Sequence, residues 1–241
     1  MRIIRARDYD EMSRRAAGLI AAAVVTKPDA VLGLATGDSP IGAYGYLCDW
    51  YRDGHIDFSQ ASALNLDEYC GIEPDAVQSY SYFMRRYLFS KINISSDNQH
   101  IPDGLARDPG RECVRYDAII AARGGIDVQL LGIGLNGHIG FNEPGPEFVK
   151  DTHVVALSES TIDANSRFFD DRRDVPVKAY TMGICTIMRA RRIVLIASGE
   201  RKADIIKRAF FDAVTPGVPA SILQLHADVT LVGDEAALSL I

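Results

Sequence analysis

An imidazole and a carboxylate stand five residues apart, His138 and Glu143, inside a glycine-punctuated stretch, LLGIGLNGHIGFNEP over 130–144. Asn136 and Asn142 fill its other polar positions. Imidazole and carboxylate are the side chains that move protons near neutral pH. Val128–Leu131, just upstream, has the apolar character of a strand covered on both faces. Glycines at 132, 134, 137 and 140 follow, and glycine reaches positive φ and lets backbone approach a ligand closely. Ligands of open α/β sheets sit beyond the carboxyl ends of strands, so this break is where a site is expected. The plainer reading is a tight turn with a solvated Glu143. It leaves unexplained why four glycines, each entropically costly to order, gather in nine residues.

Two further strand ends carry chemistry. The apolar run Ala30–Ala35 is followed by TGDSP, Thr36 to Pro40, and then by helical spacing over Ile41–Tyr51. Strand, glycine turn, hydroxyls and a helix N-terminus make an anion seat, with free N–H groups and the helix dipole facing the charge. Thr36, Gly37 and Ser39 are its candidate donors; the plain alternative is a capped helix with Ser39 as N-cap. Asp38 is out of place beside an anion unless it points away. The strand Ala61–Leu66 runs into Asp67-Glu68. Neighbours on an extended chain face opposite sides, so these two acids cannot share a role. One is expected at the site, where a partly dry setting raises its pKa, and the other in a structural pair. Lys202 stands near a helix N-terminus, unfavourable for the dipole unless it serves an anion there. Arg167 is a candidate fork for phosphate, or else a surface partner of Asp170 or Asp171.

The chain has 241 residues, 47% hydrophobic, with a net charge of −6 and no basic cluster. That composition supports a real core and argues against a nucleic-acid or anionic-membrane surface. Cys48, Cys70, Cys113 and Cys185 are widely spaced, without CxxC or zinc-ligand spacing. Reduced thiols in a cytoplasmic protein without a bound metal are therefore expected. The N-terminus, MRIIRARDYDEM, lacks the apolar core of a secretory signal, and no run of about 18 apolar residues could span a bilayer.

Strands and helices alternate from an edge strand at Arg2–Ala6 to a last strand at Val229–Val232. The pattern predicts an α/β fold, a doubly wound, mainly parallel sheet in a three-layer αβα sandwich of Rossmann-like type. One domain over 1–241 is expected, with a lid around 158–178, where charge and aromatics mix without periodicity. The aromatic helix Ser79–Leu88 reads as packing. Gly132–Gly137 matches dinucleotide-fingerprint spacing but lacks the helix that should follow, so NAD binding is discounted.

Six motifs in order, LGLATGDSPIGAY, NLDEYCGI with QSYSYFM, LLGIGLNGHIGFNEPG, ANSRFF, SGERKA and PASILQLH, make the chain resemble the glucosamine-6-phosphate deaminases along nearly its whole length. The resemblance implies conversion of D-glucosamine 6-phosphate and water to D-fructose 6-phosphate and ammonia, without a cofactor. It implies Asp67 as the base that moves the C2 proton to C1. His138 would assist ring opening and Glu143 would tune it. Asn136 fills a position where many members carry Asp, leaving a hydrogen-bonding orienter. Thr36, Gly37 and Ser39 would hold the phosphate, with Arg167 and Lys202 as cations. Regulated members are longer and place basic ligands for an acetylated sugar phosphate where this chain has His153 and Val155. No activation by that effector, and a monomer or small homo-oligomer, are expected. The alternatives are a 6-phosphogluconolactonase, a galactosamine-6-phosphate deaminase and a non-enzymatic sugar-phosphate sensor.

Overall fold

Asp8 does at the start of the first helix what its type suggests: it is extended, and its side chain accepts the Glu11 N–H. In chain order the elements are β1 (Arg2–Ala6), α1 (Tyr9–Thr26), β2 (Val31–Leu34), α2 (Ile41–Arg52), β3 (Ser62–Asn65), β4 (Asp67–Tyr69) and α3 (Tyr80–Tyr87). Then come β5 (Gln99–His100), α4 (Pro109–Ala122), β6 (Val128–Leu131), β7 (His153–Ala156), α5 (Glu159–Ser166) and β8 (Lys178–Thr181). The chain closes with α6 (Ile184–Met188), β9 (Arg192–Ala197), α7 (Ala203–Phe211) and β10 (Val229–Asp234). This computed structural model describes Met1–Ile241 apart from residues 158, 167, 168, 170, 173 and 174. The phosphate-fork reading of Arg167 therefore lies outside the described residues, as does part of the expected lid.

Seven strands form a parallel sheet in the order β1-β10-β9-β6-β2-β3-β5. Period-two alternation divides its side chains between two cores. Leu32, Leu34, Val128, Leu130, Val194 and Ile196 pack with α1 and α2 on one face. Val31, Leu131, Ile193, Leu195, Val229 and Leu231 pack with α4, α6 and α7 on the other. The chain winds outward from β2 to β3 and β5, then returns to lay β6 on the other side of β2. Winding thus reverses between β2 and β6, and the crevice at such a switch point is where this architecture binds ligands.

The second sheet is absent from the sequence reading. Leu66 makes a last bond to the main sheet, N–H to Leu34 O at 2.9 Å, and β4 then pairs antiparallel with β8, which pairs with β7. A third apolar cluster, including Tyr69, Phe141, Leu157 and Ala179, packs there. Other departures are local. Pro40, not Ser39, caps α2, with no side-chain bond; Lys202 closes a 3-10 turn, Glu200–Lys202, just before α7; and Pro219–Leu225 is 3-10 rather than α-helical. The 98–105 segment, read as a loop, contains the short strand β5.

Candidate active site

A cleft of about 1330 Å³ opens over the switch point. Its walls are the turn 36–39 after β2, the residues around 66–67 after β3, the loop 132–138 after β6 and the turn 198–202 after β9. Four strand ends, from Leu34 to Ala197, meet there because the sheet is parallel and all carboxyl ends lie on one edge.

The turn after β2 is held from behind. Tyr44 in α2 is fully buried, and its hydroxyl donates to Ala35 O at 2.5 Å. Tyr9, in the first turn of α1, donates to Asp38 O at 2.9 Å and accepts the Gly42 N–H at 2.9 Å. Gly37 sits at φ 91°, with open space where a Cβ would be, so the backbone conformation rather than room calls for glycine. With no side-chain cap on α2, the turn presents backbone donors and the positive end of a helix to the cleft.

The loop after β6 is shaped by two glycines for different reasons. A Cβ on Gly134 would lie 2.3–2.5 Å from the His138 ring, so the imidazole can fold over that residue only if it is glycine. Gly137 takes φ 92° and donates to Gly134 O at 3.0 Å, closing the turn. Asn136 sits at the centre of the polar group. Its Oδ1 accepts the His138 N–H at 3.1 Å, and its Nδ2 donates to Glu143 Oε2 at 2.6 Å. Glu143 Oε1 lies 3.5 Å from His138 Nδ1, ion-pair range rather than a made hydrogen bond. Glu143 does not line the cleft; it stands behind Asn136 and His138, which do.

Asp67 and Glu68 part company as period two requires. Glu68 is buried and accepts from the Tyr69, Tyr80 and Ser81 amides and the Ser79 hydroxyl at 2.9–3.0 Å, tying β4 to the start of α3. Burial raises its pKa, and those four donors oppose the rise. Asp67 is equally buried, and its Oδ1 has no hydrogen-bond partner among the described residues. Burial, with the neighbouring Glu68 charge, pushes its carboxyl up to about 8. Of seven such orphaned buried polar atoms among the described residues, those of Asp67 and His138 belong to residues that line this cleft. Unpaired buried polar groups are costly and concentrate where a ligand completes them.

At the other end, Lys202 reaches from the turn after β9 and donates from Nζ to Ile133 O at 2.5 Å. Burial, and Arg201 next to it, lower its pKa. Arg201 lines the cleft, is exposed, and has no ion-pair partner among the described residues.

Thr36, Gly37, Ser39, Asp67, Asn136, His138 and Lys202 thus share one cleft, with Glu143 behind it. Sequence reasoning missed Tyr9, Tyr80, Ser198, Gly199 and Arg201, all on the wall. Tyr80 was hidden in a helix read as packing, and its ring does stack on Phe141, 5.9 Å between centroids at 11°. Arg201 and Gly199 lay inside a motif, SGERKA, from which only Lys202 was taken. Nothing local in the sequence could have brought Tyr9 to a turn 29 residues away.

The cysteines are free, as expected. No group of three or more possible metal ligands occurs among the described residues, and none of the described helices is long and apolar enough to cross a membrane.

The comparisons with known proteins agree with this geometry. The model of the family described as glucosamine-6-phosphate isomerases/6-phosphogluconolactonase matches residues 7–232. A glucosamine-6-phosphate deaminase of Lachnoclostridium phytofermentans is 57% identical over 232 residues, covering 96% of this chain and 98% of its own. One of Clostridioides difficile is 53% identical, over 99% and 96% of the two chains. The solved structure of a monomeric glucosamine-6-phosphate deaminase superposes with a TM-score of 0.97 at 43% identity, covering both chains in full. A 6-phosphogluconolactonase of Thermotoga maritima, at 20% identity and a TM-score of 0.76, shares the fold. A match over residues 7–232, with relatives above half identity along nearly the whole chain, has one meaning: this protein belongs to the glucosamine-6-phosphate isomerase/6-phosphogluconolactonase family.

Proposed function

We infer that the chain is a glucosamine-6-phosphate deaminase and that Asp67 is its carbon base. The observation that carries the reading is the buried, unpaired carboxyl of Asp67, raised to about 8, in the same cleft as the imidazole of His138 and the turn at Thr36–Ser39. An ester hydrolase needs an activated water but no base for a C–H bond. A partly desolvated carboxylate with elevated basicity is what proton abstraction next to a carbonyl demands.

The chemistry follows from these groups. The phosphate binds at the amides and hydroxyls of Thr36, Gly37 and Ser39, with Lys202 as its cation, supplying remote binding energy that holds the sugar in register. The Glu143 carboxylate beside Nδ1 favours a proton on that nitrogen and leaves Nε2 of His138 as acceptor. His138 takes the anomeric hydroxyl proton and returns it to the ring oxygen, opening the pyranose. The aldehyde acidifies C2–H, which Asp67 removes while a proton of the substrate's ammonium passes to O1, giving the neutral enolamine. The same carboxyl protonates C1, leaving an iminium at C2. Water adds there, ammonia departs, and the ketose phosphate remains. The ammonium of the incoming sugar, placed beside Asp67, favours the ionised carboxylate needed for the abstraction.

A monomer or small homo-oligomer in the cytoplasm fits this reading. It is supported by the monomeric state of the similar solved deaminase and by the four free cysteines. The segment around 158–178 is proposed as a lid, because Phe169 packs edge-on against Tyr69, whose ring neighbours the cleft-lining Tyr80 and Phe141.

The test is ammonia release from glucosamine 6-phosphate and galactosamine 6-phosphate, beside hydrolysis of 6-phosphogluconolactone. Ammonia from the glucosamine compound, lost in Asp67→Asn, is the expected result. Lactone hydrolysis that survives Asp67→Asn, with no ammonia from either amino sugar, would overturn the assignment.

A further inference from the structure

Lys202 reaches the cleft only if the turn before it holds its shape, and that shape depends on a residue that does not line the cleft. Asp234 is the last residue of β10 and is buried. Its Oδ2 accepts the Ser198 hydroxyl at 2.5 Å, its Oδ1 accepts the Ala237 N–H at 2.7 Å, and the Gly199 N–H is shared between the two oxygens at 3.0 and 3.1 Å. β9 and β10 are adjacent and parallel, Gly233 opposite Ala197, so the carboxylate emerges at the level where the chain leaves β9. The bonds then run on to the site. Gly199, held at φ 89°, accepts the Lys202 N–H at 3.0 Å through its carbonyl. Lys202 Nζ in turn donates to Ile133 O in the loop that carries His138.

We propose that Asp234 is a positioning residue for substrate: by fixing Ser198 and Gly199 it sets the turn that delivers Lys202 to the phosphate end of the cleft. Three donors from two segments meet one carboxylate, and two of them, the Gly199 and Ala237 amides, can only donate, so without an acceptor here both are left unpaired. An asparagine whose oxygen faces Gly199 and Ala237 and whose NH2 donates to the Ser198 hydroxyl keeps all three partners, whereas alanine removes every acceptor at once. The turn then loses its register, and a phosphate cation misplaced by about an ångström binds far less well. The proposal rests on the assignment of this end of the cleft to phosphate.

The test is Asp234→Ala, with Asp234→Asn as the conservative variant expected to stay near wild type, read by calorimetric titration with inorganic phosphate and by steady-state kinetics with glucosamine 6-phosphate. For Asp234→Ala the phosphate Kd and the KM are expected to rise together by about tenfold, while kcat falls by less than about threefold. A purely structural role would lower the melting temperature and leave the phosphate Kd unchanged, and that result overturns the proposal. Should Asp234→Ala fail to fold, Ser198→Ala removes one bond of the group. A rise of about threefold in the phosphate Kd is then expected, and no rise overturns the proposal. The titration does not depend on turnover. A wild-type protein that binds phosphate but releases no ammonia would sink the functional reading and leave this one intact.

Discussion

Asp67 and Glu68 are consecutive carboxylates on one short strand, both buried, and they do opposite things. Glu68 is met by four donors from its own amide neighbour and the start of α3. Asp67 faces the cleft with an oxygen that no described residue satisfies. Burial raises both, but hydrogen bonds hold Glu68 down while the Glu68 charge adds to the rise at Asp67. Residue type and burial are therefore poor guides to role. What separates a structural acid from a reactive one is whether the fold has already supplied its hydrogen bonds.

The contrast breaks most visibly if the two are neutralised separately. Asp67→Asn should lower kcat by about 10³-fold or more, by analogy with removal of a positioned base. The same change should stabilise the protein. A carboxyl at about 8 when folded, against a reference value of 3.8, binds more protons folded than unfolded between those limits, so it costs stability as pH rises through that window. Asn carries no such cost. Its melting temperature should exceed wild type by several degrees at pH 8, and the gain should vanish below about pH 4. Scanning calorimetry at several pH values checks this; a lower melting temperature at pH 8 would contradict the assigned desolvation.

Glu68→Ala should invert both signs. It takes the acceptor from the buried Tyr69 amide and the half-buried Tyr80 and Ser81 amides, so a loss of about 3 kcal/mol, or roughly 6–12 °C in melting temperature, is expected. In whatever fraction remains folded, turnover should persist. Chemical denaturation with a parallel ammonia assay measures the pair of effects.

The pH profile sharpens the comparison without a mutation. In the free enzyme Asp67 must be ionised, so kcat/KM should climb about tenfold per pH unit below about 8 and level off above it. A flat profile from pH 6 to 9 would remove Asp67 from the role of base.

Asn136→Asp probes the third carboxylate. Asn136 donates to Glu143 at 2.6 Å; an aspartate there sets two carboxylates against each other, and they can coexist only by sharing a proton. Activity near pH 8 should fall about three- to tenfold, with a new pH-dependent limb. The smallest effect is expected from Arg201→Ala. KM should rise about two- to threefold, with a weaker dependence on ionic strength, because the exposed guanidinium acts on the incoming phosphate mostly through its field.

Much of this was legible in the residues. Apolar runs bounded by glycine marked β2, β6 and β9, helical spacing marked α1 and α2, and the parallel three-layer architecture followed from their alternation. Period two along an extended chain forced Asp67 and Glu68 apart. The glycines of the 132–140 loop announced backbone that ordinary residues resist, although the steric need at Gly134 emerges only with the His138 ring above it. These are local properties, decided by φ, ψ and side-chain direction over a few residues, and a linear sequence carries them in full.

Tertiary structure alone decided which acid met the cleft and which met a helix. It turned β4 away from the main sheet into an antiparallel one, brought Tyr9 to the turn at Asp38, and set Asp234 behind Ser198 and Gly199. Desolvation and long-range hydrogen bonding depend on what packs against a group, and those neighbours lie tens of residues away in the chain. The spacing of residues therefore named the groups that could do chemistry, while the packing around them set their acidity and their partners.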